Sequence, residues 1–154
     1  MERSISVKPG FAFILLLMVL AFPENGSWAQ EAVVLVVAKD SPIVELSSLN
    51  IRKAYLGMRV NMAGQAIRPY RLNSDEQLNR IFLQSVIAMS ERSYQRRLLS
   101  FTLKFGRPRP DEVDSPAALS RLIEENPLAI GYMWKADAER YTEIRILSVL
   151  WQDL

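Results

Sequence analysis

Ile67-Arg68-Pro69-Tyr70-Arg71-Leu72-Asn73-Ser74-Asp75-Glu76 reads as a short strand, a polar turn and the start of a helix. Leu78, Ile81, Phe82, Ser85, Val86 and Met89 recur with helical spacing and predict one buried stripe, while Gln77, Asn79, Arg80 and Gln84 fall opposite. Ser74 is expected to cap this helix through its hydroxyl. Asp75 and Glu76 occupy the first turn, where the helix dipole favours negative charge. A strand entering a helix N-terminus is how α/β proteins bind anions on free backbone amides. Here the protein's own carboxylates stand at that place.

Upstream, Ala32 to Ala38 is an unbroken apolar run, and such a run suits a strand buried on both faces of a sheet. Lys39-Asp40-Ser41-Pro42 follows as a turn at the strand's carboxyl end, where open α/β sheets place ligands; a solvated turn is the alternative. Ser47 or Ser48 caps a helix through Leu56 with Ile51, Ala54 and Tyr55 inward, and Gly57 closes it. Asn61 to Gly64 reads as a turn.

Downstream, Ser90 caps a helix from Glu91 to Phe105, with Tyr94, Leu98, Phe101 and Phe105 as its apolar stripe and Gly106 as its end. Arg107-Pro108-Arg109-Pro110 is an extended connector. Ser115 and Pro116 open a helix that turns Leu119, Leu122 and Ile123 inward and stops at Pro127. Ala129 to Met133 is a strand in which Gly131 allows close backbone approach, Ala136 to Tyr141 makes a helical turn, and Ile144 to Leu150 is a last strand. Strands alternating with helices predict an α/β fold with a layered, mixed or parallel sheet flanked by helices.

The chain has 154 residues and a formal net charge of +2. Arg3 and Lys8, the apolar run Phe11–Phe22, the break at Pro23-Glu24-Asn25-Gly26 and the small-residue site Ser27-Trp28-Ala29 follow the grammar of a secretory signal peptide over residues 1–29. An uncleaved anchor is the alternative, although the run is short against the ~20 residues of a membrane span. The remaining residues, 30–154, suffice for one domain with a real core.

With no histidine in the chain, Ser-His triads, imidazole bases and His-ligated zinc are excluded together. No cysteine means no thiol chemistry, and no nucleophile elbow or phosphate-cradling glycine loop is present. The reading is a non-enzyme without metal or cofactor. Arg92, Arg96, Arg97, Lys104, Arg107 and Arg109 make the most basic segment, with Glu91 its one acid. It could meet an anion or an acidic partner, or be a solvated helix face followed by a loop. Aromatic stacking platforms are missing from that face, which argues against nucleic acid.

Three stretches carry a family resemblance. Leu49-Asn50-Ile51-Arg52-Lys53-Ala54-Tyr55-Leu56-Gly57 resembles a signature helix of phosphate ABC-transporter substrate-binding proteins, Ile67–Leu72 the strand before their ligand loop, and Ala129-Ile130-Gly131-Tyr132-Met133 a late strand. The likeness runs from about Val33 to Met133 and implies a single lobe of the type II periplasmic-binding, PstS-like fold. It also implies an exported periplasmic protein that binds phosphate or another small oxyanion. Arg71, Asn73 and Ser74 would be the core of that site, with Lys39 and Ser41 approaching from the first strand's end.

Two departures set a competing reading beside it. The family's glycine-containing loop is replaced by Leu72-Asn73-Ser74-Asp75-Glu76-Gln77, and the family's first lobe has no counterpart, so a two-lobe cleft is not expected from one copy. The alternative is an adaptor of the same fold, without a small ligand, that docks on a membrane transporter, receptor or sensor through the Arg92–Arg109 face or an apolar edge.

Overall fold

The computed structural model describes residues 31–153; the expected signal peptide lies outside them. Strand β1 (Ala32–Ala38) is buried along its whole length, as its apolar run requires. It is followed by α1 (Ser48–Tyr55), a hairpin of β2 (Asn61–Met62) and β3 (Gln65–Ala66), β4 (Arg68–Leu72), α2 (Glu76–Phe82), a π-helical turn (Leu83–Ile87) and α3 (Glu91–Phe105). The chain continues through β5 (Asp111–Val113), α4 (Pro116–Glu125), β6 (Ala129–Trp134), α5 (Lys135–Ala138) and β7 (Ile144–Gln152). Five strands form one sheet in the order β5-β4-β6-β1-β7.

The sheet is mixed. β4 runs parallel to β5 and β6, whereas β1 runs antiparallel to both of its neighbours, β6 and β7. Helices cover both faces. A Cβ added to Gly131 would come within 2.9 Å of Ile123 and Leu119 of α4. The next residue, Tyr132, points the other way and stacks on Phe82 of α2 with ring centroids 3.7 Å apart. The glycine is therefore what lets α4 sit close to the sheet. Edge strand β7 carries two register irregularities against β1, a common device for twisting a strand edge away from unwanted pairing.

Several local expectations change. Asn61–Gly64 is one arm and the turn of a hairpin, with Ala63 (φ 51°) and Gly64 (φ 80°) both left-handed, the geometry that suits strand twist. Asp75 rather than Ser74 caps α2, its carboxylate accepting from the Leu78 amide at 2.9 Å. Beyond Phe82 the helix widens into the π-turn and the buried stripe moves from Val86 and Met89 to Leu83 and Ile87. On α3 the expected stripe holds at Tyr94 and Leu98, but Phe105 is 59% exposed because that end projects past the core. Among the described residues no helix is long and apolar enough to cross a membrane.

Candidate functional site

Successive residues of β4 alternate between the faces of the sheet, and Arg71 falls on the face covered by α2 and α3. There it is only 4% exposed. A guanidinium cannot shed its charge, so burial demands partners. Nη2 donates to Glu91 Oε2 at 2.8 Å and Nη1 to Glu91 Oε1 at 3.2 Å, a two-pronged pairing. Glu112 Oε1, on the adjacent strand β5, lies 3.7 Å from Nη1. Nε donates to the Tyr132 hydroxyl at 3.4 Å, and the guanidinium lies over the Tyr94 ring, 4.9 Å from its centroid.

The same aromatic group ties the surrounding elements together. The Tyr132 hydroxyl donates to Asn79 Oδ1 of α2, the Tyr55 hydroxyl to the Tyr70 carbonyl at 3.0 Å, and the Tyr94 hydroxyl to the Tyr55 carbonyl at 2.6 Å. Burial pushes the Tyr132 hydroxyl up to about 12 and raises those of Tyr55 and Tyr94 as well. Partial burial opposes ionisation of Glu91, yet hydrogen bonds from Arg71 and Gln95 hold its carboxyl below the ordinary range.

Above this pair opens a cavity of about 410 Å³. Three carboxylates, Glu76, Glu91 and Glu112, and two guanidiniums, Arg71 and Arg80, line it together with Asn73 and Asn79. Arg71 is engaged by Glu91, and Arg80 lies 3.7 Å from Glu76. The amino end of α2 is closed by Asp75, whose second carboxylate oxygen accepts from the Trp134 indole at 2.7 Å. An arginine in this setting is held as part of the protein's own ion-pair network.

The five residues singled out from the sequence do not all meet. Arg71 and Asn73 line one cavity, and Ser74 is exposed on the adjoining turn. Lys39 and Ser41 lie at the opposite end of the sheet, because β1 is antiparallel to β6 while β4 is parallel to it. Lys39 is exposed; Ser41 donates to the Pro127 carbonyl at 2.6 Å and accepts from the Ile43 amide at 3.2 Å, closing its own turn. Glu91, Glu112, Asn79 and Tyr132 are the partners that sequence reasoning did not find. The single signal for them was Glu91, a lone acid at the head of a basic helix.

No family model matches the sequence, and no characterised protein matches it by sequence. Solved structures do match by shape. An ABC-type phosphate transport receptor from Vibrio cholerae is 14% identical with a TM-score of 0.56, and covers 77% of this chain against 46% of its own. PstS from Borrelia burgdorferi is 19% identical with a TM-score of 0.54, covering 77% and 47%. A protein from Clostridium perfringens described as a phosphate ABC-transporter substrate-binding protein, with bound phosphate, is 15% identical with a TM-score of 0.50, covering 76% and 54%. Transport receptors and substrate-binding proteins of this kind are not enzymes. This chain spans about half the length of each of them. What the likeness establishes is the fold: a single α/β lobe of the periplasmic-binding type found in phosphate-transport binding proteins.

Proposed function

We propose that the chain is an exported, extracytoplasmic lobe of the solute-binding kind that serves an ABC-transport or sensing system, and that it acts there as an interaction module docking on a membrane transporter, receptor or sensor. The observation that carries this reading is the internal pair of Arg71 with Glu91, with Glu112 beside it. A phosphate reaching Arg71 would lie close to both carboxylates. At ~4 Å and an effective dielectric near 20, each such contact costs on the order of 4 kcal/mol, against about 8 kcal/mol for an entire micromolar site. The docking face would be the outer side of α3, where Arg92, Arg96, Arg97 and Lys104 are exposed around Leu99 and Leu103, which are exposed too. A leader over residues 1–29 would deliver the chain to that compartment. Ion chromatography of the denatured purified protein tests the reading: no stoichiometric inorganic anion is expected. Recovery of one phosphate per chain, lost in Arg71→Met, would overturn it.

A second reading makes Arg71, Asn73 and Ser74 the core of a phosphate or other oxyanion site, and the cavity that Arg71 and Asn73 share favours it. Lys39 and Ser41, at the opposite end of the sheet, lie away from that cavity and take no part in this reading. This reading predicts the bound phosphate that the first excludes.

A further inference from the structure

A second cavity, of about 650 Å³, opens at the other end of β4. Its walls are the residues after α1, the start of β4 and the connector from α3 to β5. Four guanidiniums line it, those of Arg59, Arg68, Arg107 and Arg109, with a single carboxylate, Asp111. Arg68 takes that carboxylate at 2.8 Å. Arg59, Arg107 and Arg109 have no ion-pair partner among the described residues. This is the reverse of the Arg71 cavity, where carboxylates outnumber guanidiniums.

Like charges crowded in one concavity repel one another, and an entering anion relieves that repulsion while the low-dielectric walls focus the field on it. Met58, Ile67, Pro69 and Phe105 supply apolar lining, and the Arg107 guanidinium rests over the Phe105 ring, 5.6 Å from its centroid. Pro108 and Pro110 fix the backbone of one wall, so less ordering is needed on binding. The volume falls in the ~300–1,000 Å³ range of small-molecule sites. Guanidinium forks match carboxylate and phosphate oxygens alike.

We propose that this cavity binds a small organic polyanion, one carrying two or more carboxylate or phosphate groups on an apolar body. It is separate from the Arg71 cavity, and the proposal does not depend on the function assigned above. Titration calorimetry of the full protein with benzene tricarboxylate tests it, with inorganic pyrophosphate as the probe that lacks an apolar body. Saturable binding of the tricarboxylate is expected, tighter than that of pyrophosphate. Arg59→Glu combined with Arg109→Glu, both exposed positions, should weaken it about tenfold or more. Arg71→Met should leave it unchanged, as should Arg92→Glu combined with Arg96→Glu, which alters the net charge equally on the outer face of α3. No binding of the tricarboxylate, tighter binding of pyrophosphate, or an equal loss in the Arg92/Arg96 variant would overturn the proposal.

Discussion

Glu91→Gln removes one charge and almost no volume, and it leaves the Arg71 guanidinium in place, 4% exposed. A fully buried ion pair broken on one side costs about 3–5 kcal/mol. That figure is a ceiling here, because the Glu91 side chain is 52% exposed and water screens its share. A hydrogen bond to a charged group contributes roughly 1.5–3 kcal/mol, and glutamine keeps one acceptor while Glu112, 3.7 Å away, can close on the freed nitrogen. The expected loss is therefore about 1–2 kcal/mol in urea unfolding at neutral pH, or roughly 4–8 °C for a domain of this size. Because the folded-state carboxyl titrates below its unfolded value, the contribution is full above the ordinary carboxylate range and fades as pH falls through the folded pKa. The gap between parent and variant should shrink accordingly from pH 7 towards pH 3. A loss under ~0.3 kcal/mol at pH 7, or a gap that does not narrow in acid, would refute the internal pairing of Arg71.

Other parts of the structure make independent predictions. Gly131→Ala places a methyl 2.9 Å from Leu119 and Ile123, both fully buried, so it should cost about 1–3 kcal/mol in denaturant unfolding. Leu103→Ser, at a 77% exposed position, should stay within ~0.5 kcal/mol of the parent in the same assay. Tyr55, Tyr94 and Tyr132 carry hydroxyls raised by burial, which stabilise the fold below the ordinary tyrosine range and destabilise it as pH climbs through their folded values. Ultraviolet titration should show these three ionising only as the protein unfolds in alkali.

The elements of the fold were legible because their signals are local. The caps at Ser47, Ser90 and Ser115, the left-handed Gly106 and the apolar run of β1 each act within a few residues of chain. What the sequence withheld is pairing. The run Val33–Val37 is compatible with a strand between parallel neighbours or between antiparallel ones, and that one difference puts Lys39 and Ser41 at the far end of the sheet from Arg71. Strand β5 was hidden for a related reason: Asp111-Glu112-Val113 has no strand-like pattern and is held by its parallel ladder to β4. Asn79 falls on the polar face by helical spacing, but the Tyr132 hydroxyl, 53 residues away, gives it a buried partner. Glu91 is the same case at the site itself. Its role follows from the packing of α3 across β4, which no spacing within α3 encodes.

If the protein's own carboxylates neutralise Arg71, no free oxyanion is held there. Thermal unfolding of the protein with and without millimolar phosphate, sulfate and arsenate decides between internal pairing and anion binding. A ligand at about 1,000 times its dissociation constant stabilises by ~4 kcal/mol, a shift of roughly 10 °C or more at this size. No anion-specific shift is expected in the parent protein. A shift of that size with one anion, abolished by Arg71→Ala, would contradict the internal pairing.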